Sequence, residues 1–167
     1  MEPQSSSYNF TFAGGPEHSY LFQSHFSAAY EVKFKPGPEL VDDPSLGGFI
    51  FEMAIVLTQN PYAPKLPPVD ERMSVTIARI VTDFLETHER VVVYICDDSD
   101  SRADARRKLF DRWFRWYRAR LYAKLTIPLG VDDANGVYYV AELFSRLDNP
   151  YFTPVFESFR RTVSGDK

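Results

Sequence analysis

Two apolar runs set the limits on what this chain can fold into. The first, "FIFEMAIVLTQ" from Phe49 to Gln59, is apolar on both faces apart from Glu52; the second, "RVVVYIC" from Arg90 to Cys96, is strongly β-branched. A segment apolar on both sides has no face to offer water, so each belongs inside a structure with material packed above and below it. The second reads as an interior strand. Periodicity alone leaves the first as a central strand or a short buried helix. Between them "NPYAPKLPPVD" carries prolines at 61, 64, 67 and 68, which predicts a stiff, extended connector. Asp70 then stands where a helix cap belongs. Met73, Ile77, Ile80 and Phe84 follow as one stripe of a helix that should end near His88.

The flanking segments read as paired strands. In "YNFTF", Tyr8, Phe10 and Phe12 share one face at period two; "AGGPEHS" follows as a turn, and "YLFQSHF" continues in strand style. In "YEVKFK", Tyr30, Val32 and Phe34 alternate with Glu31, Lys33 and Lys35, the pattern of a strand with one wet face. A loop with Pro36, Pro38, Pro44 and the pair Gly47 and Gly48 leads into the first apolar run. Beyond residue 120, "AKLTIPLG" and "VYYVAELFSRL" flank Asn135-Gly136, a hairpin signal. Asn149 before Pro150 and Thr153 before Pro154 each offer a cap with proline at the first helical position, opening a last helix that carries Phe156 and Phe159.

The order is therefore β-β-β-β-α-β-α-β-β-α. Hairpins grouped at both ends imply an α+β fold, a mostly antiparallel sheet of five to seven strands with about three helices packed on it. With 167 residues, of which 44% are hydrophobic, one core is the expectation: a tail over 1–7, a single domain over 8–163 and a frayed end over 164–167. The single cysteine, Cys96, excludes a disulfide framework within one chain. "MEPQSSS" does not open a secretory signal, and no apolar run approaches the roughly 20 residues of a membrane helix. A cytoplasmic protein with no membrane contact is expected.

The net charge of -4 conceals a strong local imbalance. Residues 102–120 hold eight basic side chains against Asp104 and Asp111, a balance of +6 that leaves -10 for the rest of the chain. Local fields of this kind steer partners more than net charge does. Just upstream, Asp97, Asp98 and Asp100 fall where the strand ends and the next helix begins. Acids at a strand's C-terminal edge build many metal-dependent phosphoryl-transfer sites. Asp and Ser in the same place also cap a helix and match its dipole, as Ser101 and Asp104 would.

At 100° per residue, Ala103, Phe110, Trp113, Phe114, Tyr117 and Leu121 gather on one helix face, and Arg106 falls inside that arc. A guanidinium beside an aromatic stripe needs a partner. Asp97, Asp98 and Asp100 could supply it as a structural ion pair, or Arg102 and Arg106 could bind an anion beside the acids. The outward arc holds Arg107, Lys108, Arg112, Arg115 and Arg118, with Trp116 at its margin. That arc suits an acidic protein surface, or nucleic-acid phosphates with a stacked base; a merely solvated face is the plain alternative. His18, His25 and His88 show no ligand spacing, and no glycine-rich phosphate loop, GxSxG or HExxH appears. No cofactor is therefore expected, and no metal unless Asp97, Asp98 and Asp100 bind one.

The succession "YNFTF", "SYLFQS", "YEVKF", "VVYICDDSDSR", "RRKLFDRWF" and "NPYF" resembles a family of small bacterial proteins of unknown function, each about as long as this chain. The strand-acid-arginine block ending in "FDRWF" is its most specific part. The resemblance implies a stand-alone cytoplasmic domain and brings no catalytic residue with it. The segments around 36–48 and 59–69 depart from the pattern. Taken together, the expectation is a non-enzymatic interaction or regulatory module binding a protein partner through Arg107, Lys108, Arg112, Arg115, Trp116 and Arg118. The alternatives are a metal-dependent enzyme acting on a phosphate-containing substrate and a nucleic-acid-binding protein.

Overall fold

In a computed structural model of the chain, residues 6–87, 89–97 and 121–165 are described. Seven strands form one sheet: β1 (Phe10–Gly14), β2 (Ser19–Gln23), β3 (Ala29–Pro36), β4 (Ile50–Gln59), β5 (Val91–Asp97), β6 (Tyr122–Val131) and β7 (Tyr138–Arg146). Their order across the sheet is β1-β2-β3-β4-β5-β7-β6. Every neighbouring pair is antiparallel except β4 and β5, which run parallel through Ile50↔Val91, Phe51↔Val92 and Glu52↔Val93. Parallel neighbours need a crossover, and α1 (Glu71–Phe84) supplies it; α2 (Phe152–Ser164) follows the last strand. The α+β architecture with a mostly antiparallel sheet is thus the one the sequence predicts.

Each helix covers a different face. On the α1 face, Tyr30, Val32 and Phe34 of β3, Phe51 and Met53 of β4, Val92 of β5 and Phe144 of β7 pack with Met73, Ile77, Ile80 and Phe84. On the α2 face, Ile50, Val91, Val93, Ala141 and Leu143 pack with Val155 and Phe159. Successive residues of a strand point to opposite faces. This is why β4 and β5, which have a helix on each side at their shared end, are apolar at both parities and why β3 alternates. The α2 face of β3 remains wet, with Lys33 near Glu17 and Glu31 at 3.6 and 3.5 Å.

The expected start of α1 is found. Asp70 caps it, its Oδ1 accepting from the Met73 N–H at 3.0 Å, and its other oxygen accepts a short hydrogen bond from the Tyr8 hydroxyl. The helix ends at Phe84, several residues before His88, which lies outside the described residues. The reason is packing: Leu85 turns fully into the core, and Arg90 donates to the Phe84 carbonyl at 3.0 Å with its guanidinium 4.2 Å from the Phe84 ring.

Other expectations need correction. The connector is not extended throughout. Residues 61–65 form a turn held by the Asn60 side chain, which accepts from the Tyr62 N–H at 2.9 Å and donates to the Lys65 carbonyl at 2.7 Å. Asn149 does not cap α2 either. It donates to the Arg90 carbonyl (3.3 Å) and to Ser145 Oγ (2.9 Å) and accepts from the Tyr151 N–H (2.9 Å), so it ties β5, β7 and the helix entry together. Thr153 and Pro154 lie inside the first turn of α2, where a missing N–H is tolerated. The Asn135-Gly136 hairpin is present. Gly136 takes φ 70°, which glycine adopts without strain, and donates to the Asp132 carbonyl at 2.7 Å.

Candidate functional site

In chain order the acid and arginine block falls between β5 and β6. β5 finishes at Asp97, whose backbone pairs opposite Tyr139 at the start of β7. The chain rejoins the sheet at Tyr122, opposite Arg146 at the other end of β7. Asp97 is therefore the last residue of an interior strand, at its C-terminal edge, as the sequence implies. Asp98, Asp100, Arg102, Arg106, Arg107, Lys108, Arg112, Arg115, Trp116 and Arg118 lie outside the described residues.

The structure adds one group that the sequence does not single out. Glu142, in the middle of β7, is 1% exposed. Its strand neighbours are Tyr94 on β5 and Thr126 on β6, and it shares the α1 face with Phe144. Lys124 Nζ lies 3.8 Å from Glu142 Oε2. A carboxylate taken so far out of water needs compensating charge and hydrogen bonds. The only sequence signal is a lone acid at a core parity of "VYYVAELFSRL", easily read there as a solvent position. Among the described residues no group of three or more His, Cys, Asp or Glu side chains is placed to hold a metal ion.

A second polar cluster fastens the loop before β4 to α2. Ser158 is fully buried, and its Oγ accepts from the N–H groups of Asp42 (2.9 Å) and Asp43 (3.2 Å) while donating a short hydrogen bond to the Asp42 carboxylate. Arg161, one turn of helix further on, grips the same carboxylate through Nε at 2.9 Å and Nη2 at 3.2 Å. The Arg161 guanidinium, with the Ser158 hydroxyl second, holds the Asp42 carboxyl down at about 2. Both oxygens of the Asp42 carboxylate are held by groups of α2, which is the chemistry of a clasp. Tyr20 is similarly committed: its hydroxyl donates to Asp83 at 2.7 Å, and burial, then this bond, push its pKa well up.

Fold and site together define an α+β protein whose sheet is crossed on one side by α1 and whose charged block follows β5 and precedes β6 in the chain. Residues 69–161, more than half of the chain, match the family of unknown function DUF6169, and the chain belongs to that family. The matched stretch runs from the start of α1 into α2 and contains every candidate site residue from Asp97 to Arg118. No curated protein and no solved structure matches the chain. No helix among the described residues is long and apolar enough to cross a membrane.

Proposed function

We propose that the protein is a non-enzymatic interaction or regulatory module of the bacterial cytoplasm that binds a protein partner through residues 102–120. The observation that carries this reading is the charge partition: eight basic residues against two acids in nineteen positions, in a chain otherwise at -10. A basic segment on an acidic body attracts an acidic surface and orients it, since the rest of the molecule repels the same partner. Trp116 among the arginines supports it, because Trp and Arg are enriched where interfaces concentrate their binding energy. The test is Arg112→Glu with Arg115→Glu. Loss of a specific acidic partner that co-purifies with the wild type, with the fold intact by circular dichroism, supports the reading; an unchanged interactome ends it.

The end position of Asp97 on β5 favours a second reading, a metal-dependent enzyme acting on a phosphate-containing substrate. Asp97, Asp98 and Asp100 would be oxygen ligands for Mg²⁺ or Mn²⁺, and Arg102 or Arg106 would steady the phosphate. Titration calorimetry with each ion separates the two readings, since the interaction module gives neither heat nor a thermal shift. Nucleic-acid binding through the same arginines would instead show affinity falling steeply with salt.

A further inference from the structure

We propose that β1 is a self-pairing edge through which two copies of this chain associate, β1 against β1 antiparallel, about a two-fold axis at Thr11. The two ends of the seven-stranded sheet are built differently. At the β6 end, Pro128 removes a donor and the register slips between Pro128 and Gly130. These are devices by which proteins discourage further pairing. At the β1 end, Phe10–Gly14 has neither charge nor proline, and its pairing with β2 is regular from Phe10 to Phe12, the slip lying beyond. Among the described residues nothing pairs with the outer side of β1. Two large apolar side chains stand exposed there: Phe12 at 55%, and Leu21 at 42% on the adjacent strand, directly opposite Thr11.

Self-complementarity selects a second copy as the occupant. An axis through Thr11 sets Phe10 opposite Phe12 of the second copy and Thr11 opposite its own equivalent. Aromatic–aromatic and Thr–Thr pairs are both favoured across antiparallel strands, and a strand with no charge apposes none. The exposed Phe12, already 4.9 Å from the Tyr20 ring, gains an aromatic neighbour on its outer side. On the opposite face the two Leu21 side chains flank the paired threonines. An unrelated extended peptide could satisfy the backbone groups, but it would have to reproduce both rows by chance. A five-residue edge covers less than the roughly 800 Å² per partner of a standard interface, so the association is concentration-dependent.

Sedimentation equilibrium on the full chain tests this. The expected result is a reversible monomer–dimer equilibrium that Thr11→Lys, which sets two ammonium groups face to face at the axis, weakens by about tenfold or more. Phe12→Ser, also at an exposed position, should weaken it independently. Leu125→Lys at the other edge should leave it unchanged, and all three variants should keep the wild-type circular dichroism. A wild type that stays monomeric at its highest soluble concentration overturns the proposal. So does a dimer that withstands both Thr11→Lys and Phe12→Ser, or one abolished only by Leu125→Lys.

Discussion

Ser158 and Asp42 lie 116 positions apart in the chain, yet the Ser158 hydroxyl both accepts from the Asp42 N–H and donates to the Asp42 carboxylate. One buried oxygen thereby fixes the loop before β4 against α2. Ser158→Ala would take from the N–H groups of Asp42 and Asp43 their shared acceptor, and losing hydrogen bonds of this kind costs about 0.5–1.5 kcal/mol each. Urea denaturation should show a lower midpoint with an unchanged slope, because the exposed surface of the unfolded chain does not change.

The same clasp predicts an acid dependence. The Asp42 carboxyl is depressed from 3.8 to about 2 in the folded protein, by Arg161 first and Ser158 second. A group depressed on folding stabilises the protein above its unfolded pKa and loses that contribution as pH falls through its folded pKa. The contribution should be complete above about pH 4 and decline toward pH 2. Asp42→Asn should therefore lower the thermal midpoint at pH 6 and converge with the wild type near pH 2. A difference that stays constant from pH 6 to 2 would show that the carboxylate's ionisation plays no part in the clasp.

Asp70 acts at the other helix. Its carboxylate takes both the Met73 N–H and the Tyr8 hydroxyl, so Asp70→Ala should cost at least the about 0.5–2 kcal/mol of an ordinary N-cap. Asp70→Asn, which keeps the acceptor for Met73, should recover part of the loss. Thermal melts of the two variants beside the wild type decide the order.

How much of this was readable before the fold follows from how local each cause is. The stripe Met73, Ile77, Ile80, Phe84, the alternation Tyr30, Val32, Phe34 and the cap at Asp70 are written within a few residues of where they act. The turn at 61–65 is decided by an Asn60 side chain that competes with proline's preference for extended chain. The early stop of α1 depends on Arg90, which joins the start of β5 to the Phe84 carbonyl. The Ser158 clasp joins loop and helix across most of the sequence and has no local signature. Even the family match obeys this limit: it begins at residue 69, while the core of α1 is completed by Tyr20, Phe22, Val32, Phe34 and Met53 from strands before it. Of the candidate site, the strand-end position of Asp97 was legible, and Glu142 was not, because only the sheet order reveals that β7 is an interior strand.

Glu142 therefore offers the most informative pair of substitutions. It is buried between Tyr94 and Thr126 in the sheet, with the Lys124 ammonium 3.8 Å from one oxygen. Removing a charge from such a pair costs more than the pair itself contributes, because the remaining charge stays in a poorly solvated place. Lys124→Met alone should destabilise the protein, and Glu142→Gln alone should do so by a different amount. Combined, the two changes should be less harmful than their separate effects suggest, since the double variant leaves no unbalanced charge between them. Coupling between contacting residues of this kind runs to about 0.5–3 kcal/mol. A double-mutant cycle by chemical denaturation measures it directly. Strict additivity would mean that Lys124 does not compensate the Glu142 charge and that this burial is balanced by other groups facing the same side of the sheet.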